Sequence, residues 1–166
     1  MTSLKQNFDS VGGFSVADKT IVNELFDIKN VNSLEVKNNF YGDSKTSQYI
    51  LRGLNTGILQ LDDVGTQIPI DSSTVSFITG HILGVNPAGK VYSAKIETTF
   101  FCNGVGTTTV LSSMTTIIKD DIPDGETWQI SPFGGTNQFS YSTIRAGTTL
   151  NIKWFVSTQV VSIEWA

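Results

Sequence analysis

The chain has 166 residues and a net charge of −4 at pH 7, and only 16% of its residues are charged, against about 25% in an average soluble protein. This length accommodates one β domain with a real core plus an appendage of roughly a third of the chain. The net charge is negative, and the sequence contains no cluster of Lys and Arg residues. Because phosphate binding depends on clustered cations, nucleic acid is not an expected partner.

The single cysteine and the lack of long apolar stretches limit the cellular setting. Cys102 has no second cysteine to pair with, so neither an intramolecular disulfide nor a thiolate metal cage is expected. No stretch approaches the roughly 20 apolar residues of a membrane helix, and the first fourteen residues lack the apolar region of a signal peptide. We therefore expect synthesis and folding in a cytoplasm, without membrane insertion.

From Phe8 to Asp63 the sequence consists of short, Asn-rich segments separated by turn-forming residues. Each segment is long enough for a brief strand and too short for a stable helix. KTIVNELFDI (19–28) keeps no steady 3.6-residue period, which favours extended structure over helix. Because these segments carry few large apolar groups to offset their ordering entropy, we predict that residues 1–62 form an attachment or oligomerisation segment of short strands.

Residues 63–166 contain long stretches in which apolar and polar side chains alternate with period two, which is typical of strands with one buried face. Turn sequences such as Asn-Pro-Ala-Gly and Pro-Asp-Gly separate six or seven such runs. The pattern predicts an all-β fold, with an antiparallel β-sandwich or jelly-roll-like head over 63–166. The side chains expected in its core include Tyr92, Ala94, Ile96, Phe100, Cys102, Trp128, Phe139, Tyr141, Leu150, Ile152, Trp154 and Val156.

Two features invite a metal-site interpretation. His81, the only histidine, lacks sequence-adjacent partners, so a strand histidine that faces solvent or a neighbouring subunit is the favoured interpretation. The acidic loop Asp120–Glu126 clusters oxygen ligands but lacks the ligand spacing of an EF-hand. Its Pro123-Asp124-Gly125 sequence indicates a turn first and a cation site second, and Asp62 and Asp63 similarly indicate the mouth of a loop.

The sequence contains no recognisable catalytic motif. The acids Glu97, Asp120, Asp124 and Glu126 are too few and too turn-like to suggest a glycosidase pair. A single histidine argues against a Ser-His-Asp arrangement, and no glycine-rich phosphate loop precedes a helix. We therefore predict a protein that is not an enzyme, with no catalytic, cofactor-binding or metal-binding residues and no cofactor.

Aromatic residues offer one further route to ligand binding. Tyr49, Phe133 and Tyr141 are conceivable stacking platforms for a host glycan, although core packing is the favoured interpretation of each.

Two parts of the chain resemble fibre-type virion proteins of tailed bacteriophages, especially marine and cyanobacterial phages. The first is GGFSVADKTIVNELFDIKNVNSLEVKN (12–38), with a Gly-Gly-aromatic-x-Val opening and an Asn-Val-x-Ser-Leu step. The second comprises the segments ILRGLNTGILQLDD (50–63), VSFITGHILGV (75–85), KVYSAKIETTFFCNGVGTTTVLSS (90–113), IPDGETWQI (122–130) and WFVSTQVVSIEWA (154–166).

This resemblance implies a non-enzymatic virion component, commonly a homotrimer, whose N-terminal part attaches to other virion proteins and whose sandwich head faces outward. A short fibre or knob, with host adhesion through a surface glycan, is the leading interpretation. A capsid decoration protein that stabilises the head is an alternative. A carbohydrate-binding or depolymerase sandwich is a further alternative, and each of these places the chain in a tail, neck or capsid.

Overall fold

The computed structural model describes residues 14–16, 19–22, 28 and 31–166, and every regular element within these ranges is a strand. The prediction of an all-β protein is confirmed. The strands are β1 (Phe14–Val16), β2 (Lys19–Val22), β3 (Ser33–Lys37), β4 (Ser44–Leu54), β5 (Ile68–Pro69), β6 (Thr74–Val85), β7 (Val91–Cys102), β8 (Thr108–Asp120), β9 (Thr127–Gly135), β10 (Gln138–Ala146) and β11 (Lys153–Glu164).

The chain divides into two units, residues 1–32 and 33–166. In the first unit, β1 and β2 pair as an antiparallel hairpin, and Val22 forms an isolated antiparallel bridge with Ile28. The extended structure predicted for 19–28 is confirmed over Lys19–Val22. Residues 23–27 of that segment lie outside the described residues.

The second unit is an antiparallel β-sandwich of two unequal sheets. The large sheet has the strand order β3-β4-β11-β6-β7-β8, and the small sheet has the order β5-β10-β9. Core side chains of the two sheets meet between them: the ring of Phe100 on β7 stands edge-on to that of Phe139 on β10, with centroids 5.0 Å apart. The predicted antiparallel sandwich is therefore confirmed.

Alternation along the long central strands places one face of the large sheet in the core. Every second residue of β7 from Tyr92 to Cys102 is buried, as the period-two pattern predicts. On β11 the buried positions run from Trp154 to Ser162 in the same way. Leu150 departs from the prediction: it is 40% exposed in the connection before β11, whereas Ile152 in the same connection is fully buried.

Two glycines of β6 make room for aromatic side chains of the core. Gly84 is the cross-strand partner of Trp154, and a Cβ atom on Gly84 would lie 2.7 Å from Cζ3 of that ring. A Cβ atom on Gly80 would likewise meet the hydroxyl of Tyr141. These strand glycines therefore serve close packing, which is a common reason for glycine within a strand.

The boundary between the units differs from the predicted one at residue 62. Strand β4 pairs with β11 over the whole of Ser44–Leu54, and β3 pairs with β4 in turn. Lys45 on β4 also contacts Glu35 on β3 at 3.3 Å and Asp71 at 2.6 Å. Residues 33–62 are thus part of the sandwich, because the partner that buries β4 lies about a hundred residues later in the chain.

This boundary predicts different outcomes for two truncations. A fragment of residues 33–166 keeps both sheets and should unfold cooperatively. A fragment of residues 62–166 loses β3 and β4, which leaves β11 as a new edge with Trp154 uncovered, so it should be insoluble or unfold without cooperativity. Circular dichroism during heating distinguishes the two, and equal stability of both fragments would contradict the described strand order.

Buried Tyr141 predicts a loss of stability in alkali. Burial raises the pKa of its hydroxyl to about 12, from 10.0, while a hydrogen bond from Thr158 opposes the rise. Between pH 10 and pH 12 the unfolded chain therefore loses a proton that the folded chain retains, so the free energy of unfolding falls as the pH rises.

Tyr141→Phe should flatten that pH dependence in denaturant titrations, even though it removes a buried hydroxyl. Tyr41→Phe is the matched control, since Tyr41 is exposed, and it should leave the pH profile unchanged. An equally steep alkaline loss of stability in Tyr141→Phe would assign the effect to another group.

Candidate functional site

One end of the sandwich carries a group of neighbouring clefts. This loop end is formed by the connections 55–67, 86–90, 121–126 and 147–152, which follow or precede the long strands. One of the clefts, called the main cleft below, has a volume of about 450 Å³. It is lined by Arg52, Gly53, Leu54, Gln60, Leu61, Asp62, Asp63, Lys153 and Trp154.

Two further clefts adjoin the first and share residues with it. One, of about 360 Å³, is lined by Leu54, Val85, Asn86, Pro87, Asn151 and Lys153. The other, of about 310 Å³, is lined by Asn55, Thr56, Gly57, Thr143, Ile144, Arg145 and Trp154. Because Lys153 belongs to two of the clefts and Trp154 to two, the start of β11 is the common wall of the group.

Strand pairing and a returning loop build the main cleft. Arg52 exchanges both backbone hydrogen bonds with Gln60, at 2.9 and 3.0 Å, so the chain folds back on the end of β4. Leu59 lies fully buried beside this contact and donates its backbone N–H to the carbonyl of Tyr141 on the small sheet. The cleft wall is therefore fixed to both sheets of the sandwich.

Asp62 shapes the mouth of the cleft. Its carboxylate accepts hydrogen bonds from the backbone N–H groups of Thr66, at 2.9 Å, and Val64, at 3.1 Å. Hydrogen bonds from Thr66, and then those from the neighbouring backbone, hold the pKa of this carboxyl below its usual value. The expectation that Asp62 stands at the mouth of a loop is confirmed, and the group remains ionised as an acceptor.

Charges of both signs line the main cleft. Arg52 and Lys153 lie on adjacent strands, Asp62 and Asp63 lie on the returning loop, and all four line the cleft. Within the described residues, none of these four side chains forms an ion pair with another residue. The cleft can thus offer both hydrogen-bond donors and acceptors to a polar ligand, beside the apolar walls of Leu54 and Leu61.

Asn55 and Asn151 hold the other loops in place. Asn55 adopts a left-handed backbone conformation, with φ of 52°, which asparagine tolerates better than most residues. Its side-chain oxygen accepts the backbone N–H of Ile152 at 2.7 Å, and its amide donates to the side chain of Asn151. The loop before β11 is therefore tied to the end of β4.

Asn86 closes the β6–β7 turn and lines the second cleft. Its side-chain oxygen accepts backbone N–H groups of Ala88 and Lys90, both at 3.0 Å. The side-chain amide nitrogen is buried and has no hydrogen-bond partner among the described residues. The turn predicted from Asn-Pro-Ala-Gly is confirmed.

The acidic loop Asp120–Glu126 forms the predicted turn. Glu126 donates its backbone N–H to the carbonyl of Pro123 at 3.0 Å, and Gly125 has a positive φ of 83°. The Glu126 carboxylate accepts the indole N–H of Trp128 at 2.8 Å, and Asp121 pairs with Lys90 at 3.6 Å. Among the residues that the structure describes, no three His, Cys, Asp or Glu side chains come together as a potential metal site.

The remaining candidate residues lie apart from the clefts. His81 is exposed on β6, beside Lys95 and Ser157 in the strand register. Tyr141 is fully buried, Tyr49 packs against the core, and Phe133 is half-buried. Core packing, the favoured interpretation, is confirmed for Tyr141.

No local sequence pattern indicates Arg52, Lys153, Asn55 and Asn151 as a group. They converge because β4 pairs with β11, and that pairing joins segments about a hundred residues apart. A local pattern reveals a strand but not its neighbour in the sheet.

No protein-family model and no curated protein matches the chain. The structure is similar to a tailspike protein from Acinetobacter baumannii bacteriophage Fri1, a capsular polysaccharide depolymerase, with a TM-score of 0.35 and 11% sequence identity. The similarity covers 79% of this chain and 20% of that protein. The described residues form no helix of the length and apolarity needed to cross a membrane.

Proposed function

We propose that the chain is a non-enzymatic virion component of a tailed bacteriophage, a short fibre or knob that presents its sandwich head and binds a host-surface glycan at the loop end. The sequence resemblance to phage fibre proteins supports the virion assignment. The observation that carries the binding role is the main cleft, where Arg52, Lys153, Asp62 and Asp63 stand beside apolar walls. As partners we propose further copies of the chain, other virion proteins and the glycan.

The chemistry of the main cleft suits a saccharide. Sugar hydroxyls both donate and accept hydrogen bonds, and this cleft combines guanidinium and ammonium donors with carboxylate acceptors. Small-molecule sites characteristically join apolar walls with a few placed polar groups. An acidic surface polysaccharide would form ion pairs with the two cations of the cleft, Arg52 and Lys153.

A depolymerase is the less supported alternative. Glycoside hydrolysis calls for one carboxyl group with a raised pKa as general acid. In the main cleft, Asp62 already accepts two backbone hydrogen bonds, and its pKa is lowered. A role in shaping the loop is the better account of this residue.

Capsid decoration is the second candidate, and one observation favours it. The solvent-side face of the large sheet carries exposed apolar side chains at the end opposite the clefts, including Phe77, Val161 and Ile163. Phe101 and Trp165 stack nearby with ring centroids 5.6 Å apart. Such clusters are common at protein contacts, and another virion protein would cover this one.

Immunogold electron microscopy of intact particles separates the two roles. Label on the tail or its fibres is the expected result for host recognition. Label spread over the head would replace the fibre role with capsid decoration, and particles free of label would overturn the virion assignment.

Lys153→Ala tests the glycan site. We expect its affinity for a bound bacterial surface polysaccharide, measured on an immobilised panel, to fall about tenfold or more, because a hydrogen bond to a charged group contributes roughly 1.5–3 kcal/mol. Lys37→Ala is the matched control, since Lys37 is exposed at the other end of the head. Equal losses in both variants, or binding by neither variant nor the parent, would contradict a loop-end site.

A further inference from the structure

Strand β8 is a long edge strand with an unusual composition. Among the strands that the structure describes, it pairs only with β7. It has 13 residues, so it extends about 44 Å at roughly 3.4 Å per residue. No charged residue occurs between Thr108 and Ile118. Its exposed apolar side chains are Val110 (37%), Leu111 (58%), Met114 (58%), Ile117 (55%) and Ile118 (68%).

The opposite edge of the same sheet is protected in the ordinary way. Strand β3 has only five residues, and Glu35 and Lys37 are charged. Short length and charge are the devices by which natural edge strands avoid pairing with other chains. Because β8 lacks both devices, its free backbone edge is suited to pairing.

The sequence of β8 is self-complementary about Met114. Outward from this residue, the hydroxyl residues Ser113 and Ser112 on one side match Thr115 and Thr116 on the other. The next two positions match apolar with apolar, Leu111 with Ile117 and Val110 with Ile118. An antiparallel pair related by a two-fold axis through Met114 therefore places like residues opposite one another.

The backbone irregularities of β8 lie on either side of Met114. The register with β7 shifts twice, with Leu111 and Ile118 as the extra residues of β8. One shift falls at the pair Val110–Leu111 and the other at Ile117–Ile118, each three to four residues from Met114. Between the two extra residues, Ser112 to Ile117 pair regularly with β7, and Met114 lies within this stretch.

The side of β8 that faces the small sheet lacks a cover. Val110 and Ile117 are the cross-strand partners of Phe100 and Ala94, both buried in the core. They nevertheless remain exposed, because the small sheet ends at β9 and does not reach across β8. A strand added beside β8 would cover part of this exposed apolar surface.

We propose that a second copy of this chain pairs with β8 in antiparallel orientation about a two-fold axis at Met114. The two large sheets then form one continuous sheet across the interface. Lys119 lies opposite Thr109 and Asp120 opposite Thr108, so like charges are kept at the two ends of the contact. This proposal does not depend on whether the protein belongs to the tail, neck or capsid. A two-fold dimer also differs from the three-fold homotrimer that the resemblance implies.

Other registers match the residues poorly. If the partner shifts by two residues in one direction, Leu111 faces Thr115 and Val110 faces Thr116. In the other direction, Ser112 faces Ile118 and Ser113 faces Ile117. Because cross-strand pairs of like character stabilise antiparallel sheets, the register centred on Met114 is the favoured one.

Cysteine cross-linking of the full chain tests the register. Directly opposed residues in antiparallel strands have Cα atoms about 4.5–5.5 Å apart, within the range of a disulfide. Met114→Cys should therefore form a covalent dimer on mild oxidation, seen on a non-reducing gel. The native Cys102 is fully buried and does not compete.

Ser112→Cys is the matched control from the same strand. Its copies would lie four residues apart across the interface, roughly 13 Å, so this variant alone should remain monomeric on the gel. Mixed with Thr116→Cys, it should form a heterodimer.

Three results would overturn the proposal. Cross-linking of Ser112→Cys alone as readily as Met114→Cys would refute the register. A monomer or a trimer in sedimentation equilibrium of the unmodified protein would refute the two-fold contact. Failure of Met114→Cys to cross-link in a protein that sediments as a dimer would place the interface elsewhere.

Discussion

Burial in this protein is governed by the unequal width of its two sheets. Six strands of the large sheet are covered by three strands of the small one. The central strands β11, β6 and β7 therefore bury every second side chain, whereas β3 and β8 remain exposed along their length. The core, the protected edge and the unprotected edge all follow from this mismatch, since apolar surface is removed from water only where two sheets face each other.

Aromatic packing over glycine connects that core to the loop end. Trp154 lies between Gly53 and Gly84 in the strand register and meets Tyr92 edge-on, with centroids 6.1 Å apart. The same ring borders two of the clefts. The cleft walls thus adjoin the buried core: paired strands carry Arg52 and Lys153, and a loop supplies Asp62 and Asp63.

Local pattern predicted the strands well and their neighbours poorly. The alternation from Tyr92 to Cys102 lies within one strand, so sequence alone assigned its buried face correctly. The pairing of β4 with β11 has no local signature, which is why the predicted boundary at residue 62 differs from the division after residue 32. The loop-end clefts depend on the same pairing, whereas the turn at Pro123-Asp124-Gly125 depends on adjacent residues and was predicted.

The proposed assembly depends on the edge strand β8, which the small sheet leaves uncovered. Amide hydrogen exchange over Ser112–Thr116, compared between the parent protein and Met114→Lys, tests the pairing of two copies through this strand most directly. Met114 is exposed, so the substitution leaves the core intact, and opposed lysines would repel at the two-fold axis. We expect slow exchange in the parent, fast exchange in the variant, and no change in β3. Equal exchange of this segment in both proteins would contradict the paired edge.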